Sequence, residues 1–287
     1  MTLVEHLSEL RSRLFRALLA LVVGTVVAFI FYPWIFDLLK APYCGLPEAY
    51  RLTTENCVLT VTRPLDAFAI RLKVSLTAGT ILSAPLWLYQ LWAFITPGLH
   101  RQERRWALLF VGVSVGLFLT GASFAYLTLD KGLAFLLSFA DDLIPVMNIF
   151  EYLSFVQAML LIFGIAFEFP LLVVLLNFAG VVSYQQLRSW RRMEIFLVFV
   201  VSAFITPSGD PFTLAAMAGP LALLYEVALL VARLHDKRVA KREAEDASGG
   251  LEVDEASMID TRPSELPLFD EAQQDTHPQG ATRERIG

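Results

Sequence analysis

One carboxylate stands alone in a long apolar stretch of this sequence. Glu168 is the only charged residue between Phe155 and Val182, a run long enough to cross a bilayer as a helix. A carboxylate at the centre of a membrane helix costs about 3 kcal/mol to insert, so its presence indicates a function. Pro170 follows two positions later, and a proline kinks a helix and frees backbone carbonyls that an incoming polar side chain can use. Glu168 is therefore the first candidate functional residue.

Three other polar side chains interrupt the apolar blocks. Gln157 and Asn177 lie on either side of Glu168 along the chain, and Glu226 lies in the last block. For Glu226 we favour a structural acid that is hydrogen-bonded to a neighbouring helix. For Glu168 we favour a functional role, with Gln157 as a second polar group inside the membrane.

Two further acids lie in segments that are otherwise basic. Glu9 precedes Arg13 by four residues, and Glu103 stands directly before Arg104. Each acid has a local interpretation, a salt bridge within one helical turn or a favourable charge at a helix start. A pair of carboxylates on one side of a membrane is also suited to binding two guanidinium groups, whose planar forks match carboxylates. The spacing leaves both interpretations open.

The residue types of common catalytic and metal sites are not assembled in this sequence. The four histidines lie outside the apolar blocks, so a serine within a block has no base. There is no glycine-rich phosphate loop, and neither Cys44 nor Cys57 has zinc-site spacing to a histidine. We expect a binding or conducting protein that is not an enzyme and uses no cofactor or metal. The two cysteines share the first predicted outer loop, where a disulfide worth about 3 kcal/mol and two free thiols are both open.

The composition requires a membrane protein. Of 287 residues, 56% are hydrophobic and 18% are charged, and the mean hydropathy is +0.57. The apolar residues come in blocks without the alternation of barrel strands, so we predict an all-α polytopic protein with six transmembrane helices. The blocks are Leu14–Phe36, Val74–Ile95, Trp106–Leu127, Phe155–Val182, Ile195–Ile205 and Phe212–Val231. The fifth is predicted to be short, and the sixth to be interrupted at Gly219-Pro220.

Lysine and arginine set the predicted orientation. They cluster before the first block, between the second and third, between the fourth and fifth, and after the sixth. Positively charged connections stay in the cytoplasm, so both termini are predicted to lie inside. The predicted divisions are a cytoplasmic amphipathic segment (1–13), a membrane domain (14–235) and an acidic cytoplasmic tail without a fixed fold (236–287).

Several motifs are distributed along the chain. They are His6-Leu7-x-Glu9-Leu10-Arg11-x-Arg13; Ser83-Ala84-Pro85-x-x-x-Tyr89-Gln90-x-Trp92-Ala93-Phe94-Ile95-x-Pro97-Gly98-Leu99 with Glu103-Arg104-Arg105; Tyr152-Leu153-Ser154-Phe155; Phe167-Glu168-x-Pro170; and Thr206-Pro207 with Asp210. In these motifs the sequence resembles the TatC family, the receptor subunit of the twin-arginine protein translocase. The resemblance covers the chain except its acidic tail.

The resemblance implies a cup-shaped bundle in the cell membrane that exports folded proteins, driven by the proton-motive force. It implies that Glu9 and Glu103 bind the arginine pair of a signal peptide, with Phe94 and Arg11 nearby.

For the membrane interior, the resemblance implies that Glu168, with Gln157, arranges the single-span partners TatA and TatB, and that these dock at the short fifth helix. It marks Pro42 and Asp210 as sensitive outer positions. A homo-oligomeric complex in contact with lipid, and with no nucleic acid, is expected.

Two other functions compete with this interpretation. In a proton-coupled secondary transporter of small solutes, Glu168 and Glu226 would carry protons. The sequence shows no internal repeat and no matched pair of broken helices, which argues against that class. A purely structural scaffold would leave the settings of Glu9 and Glu103 unexplained.

Overall fold

The structure, a computed structural model, describes residues 3–45, 61, 63–95, 104–138, 148–205 and 211–255. Over these ranges the elements are helical, and the predicted all-α class is confirmed. The helices are α1 (Leu3–Ile30), α2 (Tyr32–Cys44), α3 (Asp66–Leu82), α4 (Ala84–Ile95), α5 (Arg104–Leu137), α6 (Ile149–Ala166), α7 (Phe169–Phe178), α8 (Tyr184–Ile205) and α9 (Pro211–Glu255).

Three prolines divide helices that the apolar pattern predicted to be continuous. Pro33, Pro85 and Pro170 are each the second residue of a new helix, namely α2, α4 and α7. Proline lacks an N–H and its ring clashes with the preceding turn, so the first turn of a helix is where it costs least. The predicted second span is therefore the pair α3 and α4, bent by 58° at Ser83. The predicted fourth span is the pair α6 and α7, with a turn at Glu168.

Four segments within the described residues are long and apolar enough to cross a membrane. They are Leu7–Ile30, Leu108–Leu137, Ile149–Phe178 and Pro211–Asp246. The bent pair α3 and α4 makes a fifth. Helix α8 does not qualify, because its first half carries Arg188, Arg191, Arg192 and Glu194. The count of six spans remains a prediction.

The last two helices differ from the sequence prediction. Helix α8 has 22 residues and begins at Tyr184, so the helix is not short; only its apolar part, from Ile195, is short. Helix α9 continues through Gly219 and Pro220, where we predicted an interruption, because good helix formers such as Ala218 and Leu221 stand on both sides of this pair.

The chain divides into two compact units, Met1–Val239 and Ala240–Gly287. The described part of the second unit is the end of α9, where Lys241 pairs with Glu245 at 3.5 Å. The helix reaches Glu255, within the segment for which we expected no fixed fold.

Glycines allow two helix pairs to approach until their backbones touch. A Cβ added at Gly79 of α3 would lie 2.5 Å from the backbone nitrogen of Thr25 in α1, and one at Gly24 would lie 2.7 Å from the Gly79 carbonyl oxygen. On α5, a Cβ at Gly121 would lie 2.6 Å from the Phe163 carbonyl oxygen of α6. Lipid supplies no hydrophobic drive for helix association, so close packing at small residues takes its place.

Gly79→Ala tests this packing. The added methyl has no room against the α1 backbone, so we expect the free energy of unfolding to fall by about 1–3 kcal/mol, seen as a lower melting temperature in detergent. Gly116→Ala is the matched control, because a Cβ there meets nothing within 4 Å and alanine favours the helix. Equal melting temperatures for the two variants would contradict the close contact.

Candidate functional site

Glu168 lies at the break between α6 and α7. Its backbone N–H donates to the Ile165 carbonyl at 3.0 Å, and its own carbonyl accepts from the Leu172 N–H at 3.1 Å. Pro170 has no N–H, so the Ala166 carbonyl cannot receive the usual bond from four residues ahead. The freed carbonyl that the sequence predicted is thus that of Ala166, two residues before the acid.

A chain of two hydrogen bonds holds the Glu168 side chain. The Trp92 indole N–H of α4 donates to the Ser114 hydroxyl of α5 at 2.6 Å, and that hydroxyl donates to Glu168 Oε2 at 2.8 Å. Ser114 is fully buried and Trp92 is 3% exposed. The other carboxylate oxygen, Oε1, is buried and has no hydrogen-bond partner among the described residues.

The surroundings of this chain are apolar. A core cluster formed by α4, α5, α7 and α9 contains Trp92 and includes Leu88, Phe118 and Leu171. Buried polar groups are strongly coupled to their partners in such a medium, because no water competes for them. Helices α4, α5 and α7 are therefore joined at Glu168 by hydrogen bonds as well as by packing.

Gln157 belongs to a separate polar site on α6. It lines a void of about 10 Å³ beside Lys73 and Thr77 of α3, and its Oε1 is buried without a partner among the described residues. The Lys73 ammonium donates to the Ser154 hydroxyl and lies 4.4 Å from the centre of the Phe150 ring. Gln157 precedes the break at Glu168 by about three helical turns, so the structure does not bring the two residues together.

The N-terminal acid has a local partner. Arg13 donates to Glu9 Oε1 from Nη2 at 2.6 Å and from Nε at 3.0 Å. This is the local ion pair that the sequence left open. Arg11 is exposed, and Phe94 is half-buried at the end of α4. Glu103 lies outside the described residues.

The C-terminal end of α2 is tied to α6. Pro42 is buried in its last turn, beside Tyr43, whose ring centre lies 5.4 Å from that of Tyr152. The Tyr152 hydroxyl donates to the Leu39 carbonyl at 2.8 Å. Cys44 is disulfide-bonded. Cys57 and Asp210 lie outside the described residues.

Comparison with known proteins decides the family. The model of the TatC family, described as Sec-independent protein translocase protein, matches residues 5–220. The chain belongs to the TatC family.

Two relatives and one solved structure show how far the likeness extends. The TatC of Frankia casuarinae is 58% identical over 266 residues, which are 91% of this chain and 73% of that protein. The TatC of Aquifex aeolicus is 38% identical over 252 residues, which are 86% of this chain and all of that protein. A crystal structure of the twin-arginine translocase receptor TatC in DDM superposes with a TM-score of 0.67 at 36% identity, over 79% of this chain and 99% of that one. This TatC-family chain is a multi-pass protein of the cell membrane.

Sequence reasoning missed three residues of this TatC-family chain. Trp92 lies within the motif that runs from Ser83 to Leu99, but nothing in that motif connects it to Glu168. Ser114 is one polar residue in an apolar block, and no spacing rule joins residues 114 and 168. Glu194 is 6% exposed, and its Oε1 is buried without a partner among the described residues; its signal was a charge one position before the fifth block.

Glu226 has the structural partner that we favoured for it. It forms an ion pair with Arg191, which joins α9 to α8. Both side chains are partly exposed, so the pair contributes on the order of 1 kcal/mol or less. Glu226 therefore ties these two helices together weakly.

The cysteines provide a direct test of the segment that follows α2. We expect non-reducing peptide mapping to recover a Cys44–Cys57 disulfide, since the chain has two cysteines and Cys44 is bonded. Reduction should lower the free energy of unfolding by about 3 kcal/mol, because the bridge closes a short loop of the unfolded chain. A Cys44→Ser, Cys57→Ser double variant should be insensitive to reductant. Alkylation of both thiols without reduction would contradict the pairing.

Proposed function

We propose that this chain is the receptor and core component of a Sec-independent translocase. It binds signal peptides that carry paired arginines, and exports folded proteins using the proton-motive force. The observation that carries the proposal is the family match over residues 5–220, together with the likeness to a solved twin-arginine translocase receptor over 99% of that receptor's chain. Its role is transport and not catalysis, and six membrane spans with both termini inside are part of the proposal.

The proposed receptor residues are Glu9 and Glu103, with Phe94 and Arg11 beside them. Two carboxylates discriminate paired arginines from paired lysines, because a guanidinium fork makes two charge-assisted hydrogen bonds to one carboxylate. At Glu9, both bonds from Arg13 fall on Oε1. A peptide guanidinium therefore either binds at Oε2 or displaces Arg13, so the ion pair and the receptor role are compatible.

Glu103 and Glu9 can be tested with a labelled twin-arginine peptide titrated against the detergent-solubilised protein. Glu103→Ala and Glu9→Ala should each weaken binding by about 1.5–3 kcal/mol, roughly a factor of ten to a hundred, through the loss of a charge-assisted bond. Glu103→Gln keeps an acceptor and should retain some affinity, whereas Glu103→Lys should bind least.

Glu243→Ala is the control for this titration, since Glu243 is an exposed acid of α9. A thermal melt of each variant separates loss of folding from loss of binding. Wild-type affinity in Glu103→Lys would remove that residue from the receptor site.

The proposed partners are single-span subunits of the TatA and TatB type, arranged by Glu168 with Gln157 as a second polar contact. The proposed docking helix is α8, which carries exposed apolar side chains. They are Trp190, Met193, Ile195, Phe196, Leu197, Phe199, Val201 and Phe204. The complex is proposed to be homo-oligomeric, with Pro42 and Asp210 as sensitive positions on its outer side.

Glu168→Ala should abolish export and leave signal-peptide binding largely intact, because the acid lies inside the membrane, away from the cytoplasmic acids. Crosslinks to the single-span partner should weaken or move. Glu151→Ala is the matched control, since Glu151 is an exposed acid in the first turn of α6. Normal export by Glu168→Ala would exclude the residue from the mechanism.

A proton-coupled transporter is not favoured. Glu226, one of its two proposed proton carriers, is paired with Arg191. The structure does contain broken helices, at Pro85 and Pro170, which the sequence argument against a transporter did not anticipate. The family match decides against this alternative.

A further inference from the structure

Ser114 has a hydrogen-bonding role that its chemistry fixes in direction. An indole N–H can only donate, so Trp92 donates to the Ser114 oxygen at 2.6 Å. A hydroxyl has one proton, and the proton of Ser114 is then directed to Glu168 Oε2 at 2.8 Å. The chain therefore runs from Trp92 through Ser114 to Glu168 and cannot reverse.

The fixed direction makes the two carboxylate oxygens of Glu168 unequal. Oε2 accepts the Ser114 proton. Oε1 is the buried oxygen without a hydrogen-bond partner among the described residues. An unpartnered buried acceptor is costly, so it strongly favours a donor that reaches it.

We propose that Ser114, oriented by Trp92, is a positioning residue that sets the side-chain conformation of Glu168 and reserves Oε1 for one hydrogen-bond donor from a partner's membrane helix. This inference rests on the proposed function of Glu168. An arginine fork that spans both carboxylate oxygens fits less well, because Oε2 is already engaged. A side chain that presents a single hydrogen-bond donor fits the one open oxygen, Oε1.

Ser114 is suited to this task by its rigid setting. Ser114 is 0% exposed. It lies on α5, whereas Trp92 lies on α4 and Glu168 lies at the break before α7. The apolar side chains of Leu88, Phe118 and Leu171 form the core cluster around Trp92. The Trp92 indole also lies within hydrogen-bonding reach of the carboxylate, so Ser114 and Trp92 hold the Glu168 side chain together.

Infrared spectroscopy of the purified full-length protein in detergent tests the positioning directly. The carboxyl band of Glu168 is assigned by its loss in Glu168→Gln, and its frequency reports the hydrogen bonds that the group receives. Ser114→Ala should shift this band, and Ser114→Thr, which keeps a hydroxyl, should restore it. Trp92→Phe should shift it less, because Ser114 stays but is no longer oriented.

Thr120→Ala is the matched control. It also removes a hydroxyl from α5, but Thr120 is exposed and bonds only the Gly116 carbonyl of its own helix, at 2.7 Å. The band should not move in this variant. If Ser114→Ala does not fold, Trp92→Phe carries the test, since it keeps an aromatic ring in the core.

An export assay in cells separates this inference from the proposed function. Ser114→Ala should reduce export of a twin-arginine cargo by roughly two- to tenfold, the factor that one hydrogen bond supplies. A band at the wild-type frequency in Ser114→Ala overturns the positioning role, whatever the export rate. A shifted band with unchanged export supports the positioning and contradicts the proposed role of Glu168.

Discussion

A proline in a membrane helix removes a backbone donor in a medium that has no water to replace it. At Pro42, the Leu38 carbonyl loses its helical donor, and the Tyr126 hydroxyl of α5 donates to it at 2.8 Å. At the bend before Pro85, the Trp87 indole donates to the Thr80 carbonyl at 3.0 Å, one residue before the Ile81 carbonyl that Pro85 leaves without a helical donor. At both positions a side chain of the protein donates to a backbone carbonyl near the proline.

The break before Pro170 has a different character. At Pro42 and before Pro85 a side-chain donor reaches a backbone carbonyl, whereas the break before Pro170 presents a carboxylate. Ser114 donates to one of its oxygens, and the other has no partner among the described residues. A local departure from full hydrogen bonding in an otherwise well-packed core is typical of a functional site. The sequence Phe167-Glu168-x-Pro170 stands here, and the structure supplies a physical reason for its proline and its acid.

The charged residues divide into paired and unpaired groups. Glu9 with Arg13, and Arg191 with Glu226, form ion pairs within or between helices. In the described part of the chain, Glu168 is held by the Ser114 hydroxyl and the Trp92 indole, and by no cation. A charge in a membrane interior without an opposite charge is expensive and is found where function requires it.

The sequence by itself determined the all-α membrane class, the existence of most spans, the family and the candidate acid Glu168. These features depend on local composition, on the cost of charge in lipid and on contiguous motifs. All three can be read from the sequence without knowledge of the tertiary contacts. Proline positions were also visible, but whether each bends, breaks or merely lies within a helix depends on partners elsewhere: the helix broke at Pro85 and continued through Pro220.

Only the tertiary structure decided which residues meet. The contact of Gly79 with Thr25, and the bonds that join Trp92 to Ser114 and Ser114 to Glu168, connect distant parts of the chain. A hydroxyl residue in an apolar block looks the same in the sequence whatever it bonds. Thr120 bonds a carbonyl of its own helix, whereas Ser114 bonds a carboxylate beyond its helix. The difference arises because hydrogen bonds and close packing act over a few ångströms in space, whereas sequence patterns record only separation along the chain.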